Sequence, residues 1–218
     1  MLRRKRGETF FIFSRFYFSL TELAHLFISA LVISLVFAYP FSGCNLGAGC
    51  IAMSLAVFFL LVGSAFAIHE SSHKLTAQHF GVRSEYRMWT GGLLLAIAMK
   101  ILAGFTFIAP GAAYFEPYKR QGHLPMLFRE NYLTKAEVGK IGLAGPLSNI
   151  VLALVFFALS PFLGQFSAYG IEINLALALF NLIPLNPIDG AKIFSWSWKI
   201  WLAAIGIVFF LQNLLLST

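Results

Sequence analysis

The stretch AVFFLLVGSAFAIHESSHKL, from Ala56 to Leu75, decides how the rest of the chain is read. It begins as an uninterrupted run of apolar and small residues and ends in His69, Glu70 and His73 with no proline between them. HExxH places two imidazoles one helical turn apart on one face, where they can bind a single divalent metal. Glu70 beside them can act as general base for a water attacking a peptide carbonyl. In a soluble helix the same five residues are often a solvated charged face. Inside an apolar run that reading is weak, because ionisable groups in a bilayer are costly and usually functional.

Composition supports a membrane setting. Of 218 residues, 59% are hydrophobic and 11% charged, whereas soluble domains average roughly 45–50% and 25%. Apolar runs of spanning length recur at Leu23–Tyr39, Ile51–Thr76, Ile141–Leu163, Ile171–Leu185 and Trp196–Leu216. A sixth apolar stretch, 91–110, carries Lys100 near its middle and the β-prone FTFIAPGAAYF at its end. Lys and Arg concentrate before the first span, after the second, before the third and between the last two. Five crossings with a cytoplasmic N-terminus therefore put every basic residue except Lys100 inside, and 91–110 is expected to enter and return on one side or to lie along the interface.

The expected fold class is an all-α polytopic membrane protein of about five to six transmembrane helices with a small membrane-associated β or re-entrant segment. The chain, 1–218, is treated as one domain in a multi-pass location in the cell membrane, and 114–140 reads as a cytoplasmic loop. The net charge of +7 follows from topology and anionic headgroups, so no nucleic-acid partner is expected. MLRRKRGETFFIFSRFYFSL reads as an uncleaved cytoplasmic anchor. Cys44 and Cys50, in FSGCNLGAGC, have neither zinc-pair nor redox spacing; a small disulfide and free thiols are both open.

Two histidines leave a catalytic metal short of a third protein ligand. His79 has the spacing of a metzincin ligand, but Thr76 stands where that pattern needs glycine, and an uninterrupted helix turns His79 off the metal face. Asp189 is the only aspartate in the chain, in FNLIPLNPIDG at 180–190. A turn built from Pro, Asp and Gly explains it equally well in isolation. With HESSH on another span, the ligand reading is preferred, and both sites are expected at the cytoplasmic side of the bilayer.

HESSH at 69–73, AGPLSN at 144–149 and FNLIPLNPIDG at 180–190 together resemble the site-2 protease family of intramembrane zinc metalloproteases. The resemblance covers a core of about 51–192. It implies one Zn²⁺ held by His69, His73 and Asp189, Glu70 as base, Asn181 orienting substrate or oxyanion, and Gly145, Pro146 and Asn149 at a tight helix contact near the site. It also implies single-span transmembrane substrates, with Phe105–Phe115 as a candidate for the family's membrane-embedded strands. Two features depart from the family pattern: Ala191 and Lys192 replace Gly and Arg after Asp-Gly, and no PDZ-like insertion is present. A membrane metal transporter, a non-catalytic scaffold and a protease taking a downstream Glu (85, 116, 130, 137 or 172) as third ligand are the competing expectations.

Overall fold

The computed structural model describes residues 10–13, 16–40, 47–82, 84–104, 106, 111–115 and 133–216. An antiparallel hairpin of β1 (Phe10–Phe13) and β2 (Phe16–Ser19) leads into α1 (Leu20–Ala38) and then α2 (Ala48–His79). β3 (Ser84–Met88), α3 (Thr90–Ala103) and β4 (Gly111–Phe115) follow. The remainder is α4 (Lys135–Ala158), the single turn α5 (Ser160–Leu163), α6 (Gln165–Asn181), α7 (Asp189–Trp196) and α8 (Trp198–Leu216).

Local chemistry sets several of these boundaries. Ser19 caps α1, its hydroxyl accepting the Glu22 N–H. Thr134 and Glu137 form a capping box that starts α4, so the loop expected up to Lys140 ends at Thr134. Gly104, at φ +67, ends α3 in the left-handed region.

Among the described residues, α1, α2, α4 and α8 are long and apolar enough to cross a membrane. They coincide with four of the five expected spans. The fifth is displaced: α6 occupies 165–181 rather than 171–185 and has 17 residues, because Leu182–Ile188 forms the turn that delivers Asp189. Large apolar side chains face outward, Leu102 at 85% and Phe162 at 83% exposure, which a bilayer tolerates and water does not. Cys50 is disulfide-bonded, while Cys44 lies outside the described residues.

The strands that flank the stretch 91–110 pair with each other, Met88 opposite Gly111. α3 has 14 residues, about 21 Å of helix against a hydrocarbon core of about 30 Å. The chain then comes back as β4, which pairs antiparallel with β3 from Met88↔Gly111 to Ser84↔Phe115. Of the strand expected over 105–115, residues 111–115 form β4, while 105 and 107–110 lie outside the described residues; its partner, SEYRM, was not foreseen because its two charged residues resemble a loop. Glu116 to Tyr132, the rest of the expected loop, and the N-terminal residues 1–9 lie outside the described residues.

Two larger buried clusters hold the bundle, beside a smaller one of Ala77, Val82 and Ile141. One joins α4, α6, α7 and α8 through Ala153, Leu175, Ala178, Ile193 and Val208. The other joins α1, α2, β3 and α6 through Ile33, Val62, Ala65, Tyr86 and Leu177. The second cluster is crossed by a polar clamp. Lys74 Nζ lies 2.6 Å from Glu22 Oε2, both side chains being 3% exposed, and the ammonium also sits 4.2 Å from the centroid of the Phe18 ring. The other Glu22 oxygen accepts the backbone N–H of Tyr86 at 3.0 Å. The Tyr86 hydroxyl meets Ser29 Oγ at 2.9 Å; burial first, then the Glu70 carboxylate, hold this phenol above its ordinary range, so it remains protonated. One carboxylate therefore fastens α1, α2 and β3 together.

Glu22→Ala strands a buried ammonium and should cost about 3–5 kcal/mol of stability, whereas Glu22→Leu with Lys74→Met should cost clearly less. Thermal unfolding in detergent compares the two; equal losses would show that the clamp acts through shape rather than charge.

Candidate metal centre

α2 carries His69, Glu70 and His73 at the depth where α4 crosses it, and all three are buried. Helical spacing puts both imidazoles on the α4 side. His69 Nδ1 lies 2.6 Å from Asn149 Oδ1, and His73 Nδ1 lies 2.6 Å from the Ile141 carbonyl. The Asn149 amide has only one consistent orientation, since its Nδ2 donates to Asn174 Oδ1 at 2.9 Å and to the Ala65 carbonyl at 3.3 Å. Asn174 is anchored in turn by donating to the Gly170 carbonyl. Both histidine Nδ1 atoms therefore face acceptors and carry the proton, which leaves the Nε2 lone pairs free.

Those lone pairs converge. His69 Nε2 and His73 Nε2 are 3.0 Å apart, and Asp189 Oδ2 lies 2.9 Å from the latter and 3.5 Å from the former. Two unprotonated nitrogens and a carboxylate oxygen repel one another at such distances unless a cation lies among them. The donor set, two imidazoles and one carboxylate with outer-layer carbonyl partners, fits one zinc ion with a position left for a further ligand.

Asp189 reaches the site because the turn after α6 is folded tightly. The Leu182 carbonyl accepts from Trp201 Nε1 at 2.7 Å, and a Cβ on Gly190 would collide with the Leu182 and Ile183 carbonyls, so only glycine fits directly behind the aspartate. Lys192, one turn further along α7, donates to Asp189 Oδ1 at 2.8 Å. Where an arginine could bridge both carboxylate oxygens, this lysine leaves Oδ2 turned toward the histidines.

α4 closes the other wall. A Cβ on Gly145 would come within 2.6 Å of His69 Nε2 and would also strike His73 Nε2. Gly145 is thus a requirement of the donor cluster as well as of helix packing. Pro146 follows it inside the helix; lacking an N–H, it leaves the Gly142 carbonyl without its usual helical partner. One Gly142 neighbour is Asp189 itself, whose carbonyl a Cβ would approach to 3.3 Å.

Glu70 is buried, and among the described residues its Oε2 has no hydrogen-bond partner. An acceptor held dry and unpaired beside a metal-binding pair is suited to taking a proton from a water or substrate group entering the site.

The remaining sequence expectations fall as follows. His79 is exposed at the end of α2, edge-on to Phe80, and outside the cluster. Among the alternative acidic ligands, Glu85 pairs with Arg87 at 2.7 Å and Glu137 caps α4. Glu116 and Glu130 lie outside the described residues. Asn181 ends α6 and donates to the Leu177 carbonyl. Sequence reasoning missed Asn174, whose signal was an amide in the middle of an apolar helix, and it read Asn149 as a packing residue although its carbonyl sets a histidine tautomer.

Asn149→Ala should lower zinc affinity about 10- to 100-fold with the fold retained, and Gly145→Val should abolish zinc binding by occupying the donor cluster. Competition with a chromophoric chelator, with helicity as a control, measures both. Affinity within about twofold of wild type in Asn149→Ala would remove the amide from the positioning of His69.

Comparison with known proteins agrees with this chemistry. The model of peptidase family M50 matches residues 57–166, which include the histidine pair and the Gly-Pro segment of α4. A candidate zinc metalloprotease of Methanocaldococcus jannaschii is 41% identical over 203 residues, 89% of this chain and 93% of that protein. A candidate zinc metalloprotease of Bacillus subtilis is 30% identical over 158 residues, 65% of this chain and 68% of that protein. A further zinc metalloprotease of M. jannaschii is 29% identical over 144 residues, 63% of this chain and 33% of that protein. No solved structure matches the chain. With apolar helices around a His-His-Asp cluster and these relatives, the chain is a membrane metalloprotease and belongs to peptidase family M50, as its resemblance to site-2 proteases implied.

Proposed function

We propose that this protein is an intramembrane zinc endopeptidase that hydrolyses peptide bonds of single-span transmembrane proteins within or near the bilayer, as a step of regulated intramembrane proteolysis. The observation that carries the reading is the dry convergence of His69, His73 and Asp189 beside the unpaired Glu70 oxygen, inside a bundle whose outer surface is apolar.

In this reading His69, His73 and Asp189 hold the metal and Glu70 is the base. A zinc ion held there would supply a Lewis acid able to activate water near neutral pH and to polarise a peptide carbonyl. Glu70 takes the proton of the attacking water and returns it to the leaving amine. Asn149 and the Ile141 carbonyl keep both imidazoles in the ligating tautomer, and Lys192 fixes the carboxylate. Asn181 supports the substrate backbone or the developing oxyanion. The protein lies in the cell membrane with its N-terminus and metal centre toward the cytoplasm, as the distribution of basic residues suggests.

A helical substrate hides its amides in internal hydrogen bonds, so it must unwind before it is cut. Extended chain can then pair with the outer edge of β4, which among the described residues has no strand partner besides β3. The opposite side of the sheet is engaged, since the Tyr86 N–H of β3 goes to Glu22. Spans with Gly, Pro or Asn near the cut should therefore be preferred.

Zinc content and cleavage of a synthetic single-span protein, in detergent and in liposomes, test the proposal. Glu70→Gln should keep zinc and lose about 10²- to 10⁴-fold in rate, and Asp189→Ala should lose both metal and cleavage. Wild-type protein that carries zinc ions across liposomes and cuts nothing would replace the protease reading by transport.

A further inference from the structure

A second site lies along the same bundle. Between α2, α6, α8 and the ends of α1 and α3 runs an open cavity of about 1120 Å³. None of His69, Glu70, His73 or Asp189 lines it. It extends from the end of the bundle that carries Cys50 and Phe166 down to Leu182, Ile183 and Pro184, the turn that delivers Asp189. Its walls are mainly aliphatic and aromatic.

Glu172 breaks this surface. It lines the cavity and is exposed to it, and among the described residues no hydrogen bond or ion pair involves it. Lys100, the cation on the opposite wall, donates instead to Thr106 at 3.0 Å. Glu172 stands seven residues into α6 and nine before its end, about 10 Å below one end and 14 Å above the other. An ionisable group midway along a helix that lines an apolar cavity is costly to keep without a function or a partner.

We propose that the cavity receives the transmembrane segment of the substrate, and that Glu172 selects segments presenting a basic or amide side chain at mid-depth. The inference rests on the proteolytic reading and deepens it by naming a substrate class. An acyl chain has no group to meet a carboxylate about 10 Å from the end of α6, which argues against a lipid as the selected occupant. A helix seated along α6 would bring a lysine, arginine or glutamine opposite Glu172. Its next turns would lead past Pro184 toward the metal centre. Glu172 touches no reacting atom and acts by positioning the segment.

Binding is measured apart from cleavage. The Glu70→Gln variant, with a photo-crosslinking residue in place of Ala176, is reconstituted in liposomes. Two synthetic Leu/Ala spans are offered, alike except for Lys or Leu about 10 Å from the outer end. The Lys span should crosslink about tenfold or more above the Leu span, the range of one charge-assisted hydrogen bond. Glu172→Leu should erase the difference and Glu172→Gln should retain part of it. In proteins with Glu70 intact, the same preference should appear in KM for cleavage with little change in kcat. Equal capture of both spans, or a Lys preference that survives in Glu172→Leu, overturns the proposal even if proteolysis is normal. Lys-selective capture by a wild-type protein that cuts neither span supports the docking site and instead counts against the protease reading.

Discussion

Everything near the centre of this protein depends on one electrostatic constraint: two imidazole Nε2 atoms are 3.0 Å apart with both lone pairs turned inward. Neither ring can relieve the repulsion by changing tautomer. One Nδ1 proton is committed to Asn149 and the other to the Ile141 carbonyl. The committed acceptors come from α4, so the contact between α2 and α4 and the metal-binding state of the histidines are one structural fact. Asn174 extends that dependence to α6 through a single amide-to-amide hydrogen bond. Three helices thus agree on the direction of two lone pairs, and the turn after α6 supplies the carboxylate that makes the cluster anionic enough to hold a divalent cation.

The same constraint explains why small residues lie where they do. Membrane helices gain little from burying apolar surface against one another, since lipid is equally apolar, and they associate through close packing and polar contacts. Here the close approach has a chemical use. Gly145 brings the α4 backbone against the faces of both imidazoles, Gly142 lets α7 pass beside it, and Gly190 tucks under the end of α6. A methyl group at Gly145 or Gly190 would displace a ligand or its support before it disturbed the lipid-facing surface.

The donor set was legible from sequence because each member breaks a strong local pattern. HESSH interrupts an apolar run, and Asp189 is the only aspartate in the chain. Four helices were legible for the same reason, as unbroken hydrophobicity. The shift of α6 was not: Leu182 to Leu185 is as apolar as the helix before it, and the turn there is decided by tertiary contacts, the Trp201 indole on the Leu182 carbonyl among them. β3 was hidden by its two charged residues, and its pairing with β4 spans 23 residues at the inner Met88↔Gly111 contact, beyond any local pattern. Asn149 looked like a small polar packing residue. Its role depends on a partner 80 positions away.

Burying charge in an apolar bundle has a cost that must be met somewhere, and the protein meets it in three different ways. Glu22 and Lys74 neutralise each other inside the fold, at 2.6 Å and away from solvent, and their joint function is to fix α1 and β3 against α2. His69, His73 and Asp189 leave their charge and lone pairs to be balanced by a metal cation. Among the described residues Glu172 is balanced by neither route, yet it is held at the middle of α6, a helix whose buried face already contributes Ile173, Asn174 and Leu177 to the interior. A carboxylate that only needed solvation could sit at either end of that helix without cost. Its position on the wall of a cavity leading to the Asp189 turn is economical only if its counter-charge arrives with the molecule that the cavity admits.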